Sequence, residues 1–270
     1  MKGEPYIRLG FFLGLFLVMA LWEAIAPRRQ LTSSKPVRWF SNLALSALNS
    51  VALRTCFTLG AVGVAMESQR LGWGLFNNVA VSGWLAVVLS VVGLDLVIYL
   101  QHVMFHAVPA LWRLHRVHHA DPDFDVTTGV RFHTLEIALS MGIKAAAILL
   151  LGPPPLAVLI FEVLLNATSM FSHSNVRMPA WLDGMLRLVV VTPDMHRVHH
   201  SEIVEETNSN YGFNLPWWDF LLGTYRANPK EGHDHMRIGV AEIPRGRAVW
   251  LHWLLILPFV KQSRYREDNS

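Results

Sequence analysis

Long apolar runs set the pattern of this chain. From Tyr6 to Ala26 the only charged residues are Arg8 and Glu23, both near the ends of the run. About 20 apolar residues in helical form cross the hydrocarbon core of a bilayer, so this run predicts a first spanning helix. It is longer than the apolar part of a usual signal peptide, and Pro27-Arg28-Arg29 follows it in place of a small-residue cleavage site, which predicts that the span is kept. A second run, from Trp39 to Met66, contains Arg54, expected to face other helices or to reach toward the interface. After a polar, glycine-containing link from Glu67 to Asn78, a third run extends from Val79 to Tyr99.

Two further runs, Ile137 to Leu151 and Leu156 to Phe171, flank Gly152-Pro153-Pro154-Pro155. Prolines in series cannot continue a helix, so the sequence predicts a helical hairpin that enters the membrane and returns to the same side. Each arm is short for a full span, which leaves tilted or re-entrant helices open. Ala248 to Val260 is apolar, too short to span and carries two tryptophans, as expected of a segment lying along the interface. The connector from Pro27 to Arg38 carries Arg28, Arg29, Lys35 and Arg38 and no acid, which by the positive-inside rule predicts a cytoplasmic location. Lys2 and Arg8 at the opposite end oppose this, and the four-charge connector outweighs them.

Composition agrees with a membrane protein: 52% of residues are hydrophobic and only 16% charged. The single cysteine, Cys56, excludes an intrachain disulfide, a thiolate metal cage and an iron–sulfur cluster. The formal net charge of +3 is mild, and its positive residues flank apolar runs. Neither a P-loop, a dinucleotide glycine fingerprint nor a basic-aromatic nucleic-acid face is present, so no nucleic-acid partner is expected.

The chemistry lies in the histidines. His-Arg-Val-His-His occurs twice, at His115 to His119 and at His196 to His200. Offsets i, i+3 and i+4 fall on one helix face, so each copy predicts three imidazoles aimed at one point. Converging imidazoles suit a transition metal, and two trios imply more than one ion. The predicted spans put His102, His106, His115, His118, His119, His173, His196, His199 and His200 on one membrane face, about the number that two ions need if room is left for solvent or dioxygen. His233, His235 and His252 read as ordinary polar residues. His133 stands open between a place near the site and a helix start. Asp95, seven residues before His102, and Asp194, two before His196, are candidates to orient ligand rings by accepting their free N–H. Glu136, Asp123 and Asp219 read as polar or capping residues. A pair of irons with all-nitrogen ligands at the mouth of an apolar bundle would activate dioxygen against a lipid C–H bond. The alternatives are zinc hydrolysis, for which the chain lacks an HExxH glutamate base, and a haem or metal-binding electron carrier.

These residues fall into a set of motifs: Asp95-x-x-x-Tyr99-x-x-His102-x-x-x-His106, Leu111-Trp112-Arg113-x-His115-Arg116-Val117-His118-His119 and Arg131-Phe132-His133-x-Leu135-Glu136. Further along come Ser172-His173-Ser174-Asn175, Thr192-Pro193-Asp194-Met195-His196-Arg197-Val198-His199-His200-Ser201, Asn210-Tyr211-Gly212 and Trp218-Asp219-x-x-x-Gly223-Thr224-Tyr225. Together they resemble the fatty acid hydroxylase and sterol desaturase superfamily of integral-membrane non-haem di-iron enzymes, from about Gly93 to Tyr225. The resemblance implies metal roles for the eight histidines of the HxxxH and HxxHH motifs, with His173 as a further ligand. It implies two irons (zinc being able to occupy the site in isolated protein), dioxygen as co-substrate, a membrane lipid, sterol or other isoprenoid as substrate, and hydroxylation or desaturation. Some relatives carry a second histidine four residues before the position of His173, where this chain has Ser169, leaving water or His133 to replace it. No counterpart of a fused haem-binding donor domain is seen, so electrons are expected from a separate reductase, ferredoxin or cytochrome, or from a pterin. The expected architecture is an all-α, polytopic transmembrane bundle with a cytoplasmic histidine-rich helical cap holding a dimetal site. It divides into N-terminal spans (1–92), a catalytic region (93–225) and a cytoplasmic or interfacial tail (226–270).

Overall fold

In the computed structural model, which describes residues 3–261, the described chain is helical, with two isolated β-bridges and no named strand. The long helices are α1 (Glu4–Ile25), α2 (Lys35–Cys56), α3 (Ala61–Leu71), α4 (Gly83–Ala107), α5 (Pro109–His119), α6 (Thr134–Leu151) and α7 (Pro155–Ser172). Shorter ones follow: α8 (Ala180–Leu186), α9 (Pro193–His199), α10 (Val204–Thr207), α11 (Trp217–Leu222), α12 (Gly232–His235) and α13 (Leu251–Ile256). Proline stands in the first turn of α1, α2, α5, α7 and α9, where its fixed φ suits the helix and its missing N–H costs no hydrogen bond.

Among the described residues, five helical stretches are long and apolar enough to cross a membrane: Glu4–Ile25, Lys35–Leu71, Gly83–Ala107, Thr134–Leu151 and Pro155–Ser172. The second departs from the single helix expected over Trp39 to Met66. Phe57 is extended and Gly60 precedes α3, so the stretch breaks between α2 and α3. At 37 residues it exceeds what a bilayer needs, and the break lets α3 turn to pack on α6 and α7. Arg54 is exposed in the last turn of α2, where a cation complements the helix dipole. Ala61, Val62 and Ala65 of α3 fill a core with Leu94, Ile98, Met141, Ile148, Val158 and Phe161, the small alanines letting the backbones approach. At the end of the bundle away from the histidines, Gly74 and Gly152, both with positive φ, bring the α3–α4 link against the turn between α6 and α7. A Cβ on either would overlap the opposing backbone.

The other end is the cap. Ala26 and Arg28 pair through their backbones with Arg177 and Asn175, which places the α1–α2 connector beside the segment following α7. Connector charges meet acids of the cap: Arg28 pairs with Asp194 and Asp234, and Arg38 with Asp121 and Asp125. The predicted interfacial segment is two-faced. Ala248, Leu254 and Leu257 are buried against Leu45 and Val117, whereas Trp250 and Phe259 are exposed.

Arg38, 0% exposed, is the keystone of the connector. It donates through Nε and Nη2 to both oxygens of Asp121 (2.7 and 2.9 Å) and through Nη1 to Asp125 (2.6 Å). Arg131, equally buried, donates to the carbonyls of Val117 (2.8 Å) and Ala248 (2.7 Å). Burial alone would raise the Asp121 carboxyl, but Arg38 and Arg131 hold it down at about 2. Two outcomes are expected. Replacing Arg38 by Ala strands buried carboxylates and lowers stability by about 3–5 kcal/mol, read as a fall in the unfolding midpoint in detergent. Because the folded-state value of Asp121 lies below its ordinary one, its contribution to stability is complete above about pH 4 and is lost as pH falls toward 2. A pH series of unfolding midpoints in wild type and Asp121→Asn tests this, the wild type losing its advantage over that window.

Candidate metal centre

Three helices and the end of a fourth converge on the site. α4 runs unbroken from the bundle into the cap, and its last two turns carry His102 and His106. α5 carries His115, His118 and His119, α9 carries His196 and His199 with His200 capping its end, and His173 caps α7. The nitrogens of these nine side chains form two groups. His102, His106, His115, His119 and His199 make the first, and His118, His173, His196 and His200 the second, with the atoms of each group within 4.8 Å of one another.

Each HxxHH trio is therefore divided, not aimed at one point as its spacing predicts. At about 100° per residue, positions i and i+4 differ by roughly 40° around the helix, but i+3 and i+4 by roughly 100°. The i and i+4 histidines of the first copy, His115 and His119, accordingly share one group, and His118 turns to the other. The second copy divides at the same positions with the groups exchanged: His196 and His200 lie in the second group and His199 in the first. The stacked rings of His119 and His200, 4.5 Å apart, lie where the groups meet.

Hydrogen bonding fixes the protonation pattern. Nδ1 of His102 donates to Tyr211 O and Nδ1 of His199 to Ser209 O, both at 2.7 Å. Nδ1 of His118 donates to Arg131 O (3.2 Å), that of His173 to Ser169 O (2.7 Å), and that of His115 to the Glu136 carboxylate (2.6 Å). With the proton on Nδ1, a neutral ring carries only a lone pair on Nε2. Burial pushes His115 and His173 down to about 3, and the other cap histidines of the two groups well below their ordinary range, so the rings are neutral. Yet the bare Nε2 atoms of these five rings point at one another: His102 at His115 and at His199 (3.0 Å each), and His173 at His118 (3.1 Å). Both ring nitrogens of His119 and of His200 are buried with no partner. Lone pairs facing at this distance repel, and buried polar atoms require partners. A cation answers both demands. Metal–nitrogen bonds of about 2.1 Å at right angles put adjacent nitrogens about 3.0 Å apart, so the donor set fits a metal ion in each group.

The remaining candidates lie further out. His133 belongs to neither group: its Nδ1 accepts from Leu135 N to cap α6, and its Nε2 donates to Leu255 O. Its neighbours do reach the site, Phe132 stacking on His118 at 4.3 Å and Arg131 offering the carbonyl. The oxygen of Ser169 is committed to Gly129 O (2.8 Å), so the position four residues before His173 supplies no ligand side chain. Asp95 touches no histidine and instead accepts from Trp218 Nε1 (2.8 Å) and Leu215 N (3.3 Å). Asp194 pairs with Arg197 and Arg28. The carboxylate that does meet a ring is Glu136, read from the sequence as an ordinary cap acid. Its signal was its place: an acid in the first turn of an apolar helix is costly unless paired. His233, His235 and His252 lie outside both groups.

Comparison with known proteins follows the same residues. The sequence model of the fatty acid hydroxylase family matches residues 87–224. The chain is 28% identical over 225 residues to the ornithine lipid hydroxylase OlsE of Rhizobium tropici, covering 81% of this chain and 67% of that protein. It is 32% identical over 136 residues to human alkylglycerol monooxygenase, covering 50% of this chain and 29% of that protein. It is 26% identical over 145 residues to rat cholesterol 25-hydroxylase, covering 50% and 45%. The chain thus spans about two thirds of the first relative and less than half of the other two. No solved structure matches it. With the match taking in both histidine groups and half of its length, the chain belongs to the fatty acid hydroxylase family.

Proposed function

We infer that the protein is an oxygen-dependent hydroxylase acting on a C–H bond of a membrane lipid, with one iron held in each histidine group. The observation that carries this is the set of buried, bare Nε2 atoms of His102, His115 and His199 and of His118 and His173, facing one another at 3.0–3.1 Å. Five nitrogens in the first group exceed the four of a closed zinc site and suit a six-coordinate ion with a position to spare. Bound there, the irons would activate dioxygen for insertion into the C–H bond. The protein's own groups keep the ligands neutral by burial, hold the outer nitrogens of His102, His115, His118, His173 and His199 on a carbonyl or carboxylate, and exclude water. Hydroxylation is favoured over desaturation by the relatives, which are hydroxylases or monooxygenases by name.

The lipid substrate is supported by the surface around the cap. Trp181, Met185 and Leu188 at α8, and Trp217, Phe220 and Leu221 at α11, are exposed, and Trp217 Nε1 donates to Leu188 O to join them. Trp218, within α11, hangs from Asp95, seven residues before His102 and so about 10 Å deeper along α4. On this reading the collar, tied to α4 at Asp95, would meet acyl chains on the bundle side of the histidines. The cap is assigned to the cytoplasmic side on the basic connector, although Arg28 and Arg38 are neutralised by cap acids. Electrons would come from a separate reductase, ferredoxin or cytochrome.

In membranes supplied with lipid, reductant and 18O2, one labelled oxygen is expected in a lipid product, and His199→Ala and His173→Ala should each abolish it. Product formed without oxygen would instead point to zinc hydrolysis, and a haem absorbance band to an electron carrier. Glu136→Gln is expected to lower the affinity of the first group for iron by about 10- to 100-fold, read by competition with a chelator. An unchanged affinity would contradict the role given to Glu136.

A further inference from the structure

Between His200 and α11 the chain makes a turn that none of the ligand motifs requires. Asn210 is the only described non-glycine residue with positive φ, at 51°. The two carbonyls flanking it, Ser209 O and Tyr211 O, each hold the Nδ1 of a different histidine of the first group, His199 and His102 at 2.7 Å. A left-handed residue reverses the chain locally, which lets two carbonyls so close in sequence serve rings from α9 and α4.

This turn is held from behind by one buried carboxylate. Asp219 accepts from Tyr211 N (2.8 Å) and Thr224 Oγ1 (2.7 Å) through Oδ1, and from Gly212 N (2.9 Å) through Oδ2. Gly212 is needed for this approach, since a Cβ there would lie 2.8 Å from Asp219 Oδ2. Asn210 fixes the other side, donating through Nδ2 to Met195 O (2.9 Å) and Arg226 O (2.8 Å) and accepting from Arg226 N (2.8 Å). Met195 immediately precedes His196 in α9, so the turn is anchored to the helix that supplies ligands to both groups. The second group is held differently: His118 and His173 rest on carbonyls of Arg131 and Ser169, which Asp219 and Asn210 do not touch.

We propose that Asp219 is a positioning residue dedicated to the first metal, acting through the turn at Asn210 to set the aim of His102 and His199 without affecting the second. The proposal rests on the two-metal reading above. It makes the two ions separable: the first can be loosened through the turn while the second stays in place.

The test uses full-length protein purified in detergent and loaded with iron(II), with iron counted per chain. Wild type is expected to hold two and Asp219→Ala one. Adding His199→Ala to Asp219→Ala should leave the one, whereas adding His173→Ala should remove it. Two irons in Asp219→Ala, loss of both together, or loss of the remaining iron on adding His199→Ala would each overturn the proposal. If Asp219→Ala does not fold, Thr224→Val removes a single one of the three bonds. It should speed release of one iron to a chelator by roughly 10-fold and leave the other unchanged, and equal acceleration of both would count against the assignment. Fewer than two irons in wild type would defeat the two-metal reading itself, independently of the variants.

Discussion

Buried imidazole nitrogens that can neither be solvated nor hydrogen-bonded to one another govern this structure. Nine rings are packed at the mouth of an apolar bundle, with lone pairs turned inward, an arrangement that is repulsive unless positive charge lies between them. The rest of the cap supplies what keeps the rings in place. The outer nitrogens of five of them meet fixed acceptors: carbonyls of residues 131, 169, 209 and 211 and the carboxylate of Glu136.

Those acceptors are in turn fixed by buried charge. Arg38, Asp121 and Arg131 secure the segment that carries the Arg131 carbonyl, and Asp219 secures the turn at Asn210. α4 links bundle and cap, its Asp95 holding Trp218 of α11 and its last turns presenting His102 and His106.

Much of this was legible in the sequence. Apolar runs of spanning length located α1, α4, α6 and α7, because hydrophobic length is a local property, and the prolines after Gly152 marked the hairpin. The nine histidines stood out by repetition and are the nine that the fold gathers. What could not be read depends on tertiary approach. The division of each trio needs a second group of ligands on the i+3 side of α5 and α9, which only the fold supplies, and the break after Phe57 goes with the packing of α3 on α6 and α7. Glu136 and Asp219 looked like any polar residue until the fold set one against His115 and the other behind Asn210. His133, open in the sequence between a place near the site and a helix start, is the cap of α6.

The central claim is that two irons lie among nitrogen donors alone. Iron K-edge X-ray absorption on the purified wild-type protein, with metal counted on the same sample, tests it most directly. Two irons per chain with a first shell of light nitrogen or oxygen scatterers, imidazole outer-shell scattering and no sulfur shell is the predicted result. A single haem iron, or a four-coordinate zinc site refractory to iron, would contradict it.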